Sequence, residues 1–165
     1  MNLHRVIRHL FTGRAAARRA FPSRALDAIE QVIRETEATH QGQVRFAVEA
    51  SLDLSPLFAG QTARQRALEV FSQLRVWDTE HNNGVLIYLL LADRNVEIVA
   101  DRGIDAKLGQ AAWETICAEM EVAFRAGEFE RGVIAGVRSI SAMLAQHYPH
   151  NGVKSNELSD CPIIL

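Results

Sequence analysis

The run Val85-Leu86-Ile87-Tyr88-Leu89-Leu90-Leu91 is apolar at every position. A strand with one wet face alternates apolar and polar side chains, whereas a strand covered on both faces does not. A chain with this run needs cover above and below at least one strand, which points to a sheet held between two layers of helices. Directly before the run stands Trp77-Asp78-Thr79-Glu80-His81-Asn82-Asn83-Gly84. A buried strand would hold that polar loop in place, and polar groups on a loop fixed by a scaffold are where sites concentrate.

The other periods complete the layers. Leu3, Val6, Ile7 and Leu10 recur at helical spacing until Gly13 breaks the stripe. Pro22 suits a first helical turn, Leu26, Ile29, Val32 and Ile33 line one face as far as about Thr39, and Gln41-Gly42 closes the helix. Val44, Phe46, Val48 and Ala50 alternate with Arg45, Ala47 and Glu49, a strand with one face less buried, which Asp53-Leu54-Ser55-Pro56 breaks. A helix from about Thr62 would bury Ala67, Leu68, Phe71 and Leu74. After the apolar run, Asp93-Arg94-Asn95 reads as a tight turn and Val96, Ile98 and Ala100 as a hairpin partner. Leu108, Ala112, Ile116, Met120 and Ala123 stripe one more helix, and Phe129, Val133, Val137, Ile140 and Leu144 another. Strand–helix–strand implies a parallel pair, and the hairpin adds an antiparallel strand. The expected class is α/β: an α/β/α sandwich with a small mixed sheet between helix layers. Its divisions are a basic amphipathic helix over 1–21, the sandwich over 22–148 and a loose tail over 149–165.

Charge and cysteine usage bound the function. A net charge of −2 gives no reason to expect nucleic acid. Yet five of the 18 basic residues and none of the 20 acidic ones lie in 1–21, which leaves −7 on the remainder. The N-terminal helix then has two readings: contact with an anionic membrane or a partner through residues 3–19, or packing on the protein's own body with arginines facing water. Two cysteines, Cys117 and Cys161, make no disulfide framework and fit a reducing compartment. With neither a secretory signal nor an 18-residue apolar span, the expected location is cytoplasmic, peripheral to the inner face of a membrane if residues 3–19 make that contact.

Topology brings remote polar residues together. Parallel strands begin at one end of a sheet, so Asp78–Asn83 should lie near the start of the first strand, beside Glu37 and His40 at the end of the preceding helix. The antiparallel strand delivers Asp101, Arg102 and Asp105 to the same end. Carboxylates gathered there repel one another unless a cation sits among them. Oxygen donors of this kind suit Ca2+, or Mg2+ with fewer protein ligands and more water; zinc lacks its His/Cys spacing. The candidate metal ligands are Glu37, Asp78, Asn83, Asp101 and Asp105. Arg102 could clamp a phosphate. An EF-hand fails after its third ligand position, since Asn83 replaces the glycine and Leu89 the final glutamate. Gly103 to Gly109 lacks the Lys-Ser/Thr of a phosphate loop, and Cys117 beside an apolar stripe reads as packing.

Asn82-Asn83-Gly84-Val85-Leu86-Ile87, the turn at Asp93-Arg94, Val96-Glu97-Ile98 and Gly103 together resemble the TPM domain family. Phe124-Arg125-x-Gly127-x-Phe129-x-x-Gly132 is similar to that family's closing segment, and Glu35-Thr36-Glu37-Ala38-Thr39 to its opening helix, so the likeness runs over about residues 25–147. The resemblance implies a compact α/β/α domain in a family that includes a thylakoid lumen acid phosphatase and membrane-associated accessory proteins. Some members bind a divalent cation, calcium in particular, at the polar end of the sheet; Asn83-Gly84 and Glu37 match there. Departures are Ala100-Asp101-Arg102-Gly103 where many members carry a residue between two glycines, and Asp105 in place of a glutamate. The chain resembles a soluble bacterial branch. Two functions follow: a binding or accessory module for a protein complex or membrane-associated partner, and a metal-dependent acid phosphatase with Asp78 or Asp101 on the metal and Arg102 on the phosphate. No nucleophile–base pair can be read, which leaves catalysis without named chemistry and favours the module.

Overall fold

The computed structural model describes residues 3–152 and 156–165. Helices α1 (Leu3–Phe11), α2 (Arg14–Ala20) and α3 (Ser23–Glu37) lead into strand β1 (Gln43–Glu49). Helices α4 (Leu54–Phe58) and α5 (Ala63–Gln73) form the crossover to β2 (Gly84–Leu90). A 3-10 turn at Leu91–Asp93 reverses the chain into β3 (Asn95–Ala100), followed by α6 (Arg102–Leu108), α7 (Gln110–Arg125), α8 (Phe129–His147) and β4 (Ile163–Ile164). The strand order is β3-β2-β1-β4, with β1 parallel to β2 and to β4, and β2 antiparallel to β3. This is the mixed sheet of an α/β/α sandwich, with one strand more than the periodicity reveals.

The apolar run is central, and every residue from Val85 to Leu90 is fully buried. Its odd-numbered members Val85, Ile87 and Leu89 join Phe46, Ile33, Ile116, Met120 and Val137 in the core beneath α3, α7 and α8. Leu86, Tyr88 and Leu90 join Ala67, Val70 and Leu57 on the opposite face, under α4 and α5. The period-two geometry of a strand thus splits one apolar segment between two cores. The α7–α8 seam is close: a Cβ on Gly136 would stand 2.4 Å from the Met120 sulfur.

Three expectations change. Helix α5 buries Ala63, Ala67 and Val70, while Leu68 is 48% exposed. Leu68 sits one helical step of about 100° past Ala67, beyond the edge of the buried stripe. Gly109, at φ 73, separates α6 from α7, so Leu108 ends one helix and Trp113, Ile116, Met120 and Phe124 stripe the next. The C-terminal segment, expected to be loose, pairs through Ile163 and Ile164 with Ala47 and Val48. Buried polar side chains hold it: Gln43 Oε1 accepts the N–H groups of Glu157 and Leu158 at 3.1 and 3.0 Å, and Arg45 donates to the carbonyls of Ser159 and Cys161. That segment covers the face of β1 expected to be wetter, and Arg45 itself is buried.

Candidate functional site

Strand register fixes a polar rim at one end of the sheet. Gln43 pairs with Gly84 and Val85 with Ala100, so β1 and β2 begin where β3 ends. The Asp101 N–H bonds the Gly84 carbonyl at 2.8 Å, the Ile104 N–H bonds the Asn82 carbonyl at 3.2 Å, and the Gln43 N–H bonds the Asn83 carbonyl at 3.4 Å. The 79–83 loop is thereby stitched to α6 on one side and β1 on the other. Asn82 takes a left-handed φ of 51°, a conformation asparagine tolerates better than most residues. Gly103 fits where nothing larger would. A Cβ there would stand 2.5 Å from the Asn82 carbonyl, 2.9 Å from the His81 carbonyl and 3.0 Å from the Tyr148 hydroxyl.

The expected ligands meet this rim in different states. Glu37 is buried, and its Oε1 accepts the Val44 N–H at 2.7 Å, closing the start of β1. Asn83 is buried and donates from Nδ2 to the Gln41 carbonyl at 3.2 Å. Asp105 is exposed, and its Oδ1 accepts the Trp113 indole N–H at 2.9 Å. Asp78 is exposed in the turn after α5, and among the described residues no hydrogen bond ties its side chain to the others. Asp101 caps α6 by accepting the Arg102 N–H on Oδ1 at 2.7 Å. Its second oxygen, Oδ2, is buried and has no hydrogen-bond partner among the described residues, although the residue is only 7% exposed. Arg102 donates from Nε to Asn82 Oδ1 at 3.2 Å. Among the described residues, no three His, Cys, Asp or Glu side chains stand together as metal ligands.

Periodicity gave no sign of Tyr148. It follows α8, its carbonyl accepts the Gln41 N–H at 2.9 Å, and Lys107 Nζ lies 4.2 Å from its ring centre. Burial and then the Asp101 charge push its hydroxyl above the ordinary range. The hydroxyl therefore stays protonated and can donate toward the rim. The lone aromatic between His147 and Pro149 was the one signal for it. Cys117 is no nucleophile: burial pushes its thiol up to about 12, so the thiolate is scarce at neutral pH.

A TPM domain model matches residues 19–143, three quarters of the chain, and the chain belongs to this family. No curated protein matches the sequence. Among solved structures, the BA42 protein from the psychrophilic bacterium Bizionia argentinensis is similar, with 26% identity over 88% of this chain and 95% of that one and a TM-score of 0.78. The N-terminal domain of a protein from P. gingivalis shares the fold at 20% identity, over 74% of this chain and 76% of that one, with a TM-score of 0.59. Among the described residues no helix is long and apolar enough to cross a membrane.

Proposed function

We propose that this member of the TPM domain family is a binding module whose rim takes up a hydrated divalent cation, Ca2+ or Mg2+, at Asp101, and through it an acidic group of a protein partner. One observation carries this reading: Asp101 Oδ2 is a carboxylate oxygen withdrawn from water with no hydrogen-bond donor among the described residues to satisfy it. Such an atom is costly unless something occupies it. Backbone carbonyls of His81 and Asn82 crowd the adjacent Gly103 and offer further oxygens. Glu37 and Asp105 already serve other donors, so a cation here would keep most of its water, a habit closer to Mg2+ than to Ca2+. Arg102 and Lys107 flank the rim and suit a partner's carboxylate.

The test is an amide NMR titration of the full chain with CaCl2 and MgCl2, repeated on Asp101→Asn. Asparagine keeps an oxygen for the Arg102 N–H but removes the charge. The expected result is saturable shifts at Asn82, Gly84, Arg102 and Gly103 that the substitution abolishes. Absence of shifts up to millimolar ion, or shifts unchanged in Asp101→Asn, would overturn the proposal. The alternative, a metal-dependent acid phosphatase, requires cation-dependent turnover of a generic phosphomonoester that Asp101→Asn removes.

A further inference from the structure

Helix α1 packs on its own domain, but it is turned the opposite way from the expected arrangement with arginines facing water. Arg5 reaches inward to Asp93 at 2.9 Å, Arg8 meets the same carboxylate at 3.2 Å from the rim of the contact with its side chain 55% exposed, and Val6 and His9 are buried. The outward face is mostly apolar, with His4 and Arg8 at its edge. Leu3, Ile7, Leu10 and Phe11 stand at i, i+4, i+7 and i+8 and are 63, 43, 59 and 84% exposed. Beside α1, a cavity of about 550 Å³ opens between α1, α2 and the 3-10 turn. Arg8, Arg19 and Arg94 line it over a floor that includes Leu91 and Phe129, and among the described residues no carboxylate lines its wall. Arg8 is paired with Asp93. Among the described residues no carboxylate pairs with Arg19 or Arg94, nor with the exposed Arg14 and Arg18 of α2.

We propose that α1 and this arginine-lined cavity form one face that docks on an anionic lipid bilayer. The two halves of the face want different things, hydrocarbon for Leu3, Ile7, Leu10 and Phe11 and phosphate for Arg19 and Arg94. An anionic membrane surface supplies them side by side. Charge orients the domain as well: residues 1–21 hold five arginines and no acid, and the remainder carries −7, so the acidic body is repelled while the basic end is drawn in. The face uses no residue of the rim, and α1 precedes the family match, which begins at residue 19.

The experiment is co-sedimentation of the full chain with vesicles of phosphatidylcholine alone and with about a third phosphatidylglycerol, at low and high salt. It is repeated on Leu10→Ser/Phe11→Ser and on Arg19→Glu/Arg94→Glu. All four positions are exposed, so circular dichroism should confirm intact folding. The expected result is binding to the anionic vesicles only, weakened by salt, with partitioning reduced about tenfold or more in each variant. The proposal is overturned by no binding to anionic vesicles at low salt, by equal binding to the two compositions, or by binding unchanged in the variants. A concentration-dependent dimer abolished by Leu10→Ser/Phe11→Ser would also overturn it, because a second copy would then cover the face.

Discussion

Gly103→Ala is the sharpest probe of the rim, because it adds one methyl group where three segments meet. The new Cβ would lie 2.5 Å from the Asn82 carbonyl oxygen, roughly 0.9 Å inside ordinary contact at 3.4 Å. The obstacle is backbone, so no side-chain rotamer can relieve it. Asn82 cannot retreat freely either: its carbonyl accepts the Ile104 N–H at 3.2 Å and its side chain accepts from Arg102. Overpacking of this kind costs about 1–3 kcal/mol, and opening the bond to the buried Ile104 N–H adds about 1 kcal/mol or more. A total of about 2–4 kcal/mol should lower the thermal midpoint by roughly 4–16 °C in a domain of this size. Urea unfolding followed by far-UV circular dichroism measures it, with Gly13→Ala as the control, since a Cβ on Gly13 meets nothing within 4 Å. If Gly103→Ala falls within about 0.5 kcal/mol of the wild type, the loop and α6 do not pack as described and the rim has no fixed shape.

Two further outcomes follow from buried polar groups. His9 accepts the Leu52 N–H on Nδ1 at 3.0 Å and burial holds its pKa below 6.5, so the neutral ring is the folded form. Its contribution to stability should be complete above pH 6.5 and be lost as pH falls through the lowered folded-state pKa; the urea midpoint of His9→Gln should therefore change less between pH 7.5 and 5 than that of the wild type. Arg45→Met should release the C-terminal segment, speeding hydrogen exchange of the Ile164 and Leu165 amides about tenfold or more while β2 stays protected; unchanged exchange would show that the guanidinium bonds are not what holds β4.

Much of the fold was legible because it rests on apolar period. Val85–Leu91 announced a doubly covered strand, and the spacing of Val133, Val137, Ile140 and Leu144 drew the buried face of α8 as it stands. Strand direction then placed Glu37, Asn83 and Asp101 at one end of the sheet. Period does not see what polar side chains do once they arrive. Glu37 closes β1 and Asp105 holds an indole, each a local bond that no spacing encodes. The β4 pairing was hidden for the same reason: two isoleucines make no pattern, Arg45, which anchors the segment, looked like a residue of a wetter strand face, and Gln43, its other anchor, carried no signal of its own. Tyr148 entered the rim because α8 happens to end there.

Helix α1 shows how one acid can invert an amphipathic pattern. An apolar stripe with scattered arginines ordinarily sends its leucines inward and its charges to water. Here the contact surface is the 3-10 turn, whose Asp93 is held within reach of Arg5, Arg8 and His9. Partly buried, that carboxylate needs cations, and a helix can present them only by rotating its leucines outward. Asp93→Asn therefore tests the cause directly. With the charge gone, Arg5 loses its reason to point inward and Arg8 loses its partner. Leu10 and Phe11 should become less exposed, read as slower attack by a hydrophobic-specific protease between residues 10 and 12. Unchanged cleavage would mean that Val6 and the His9–Leu52 bond alone set the helix's orientation, and that Asp93 merely accepts what they impose.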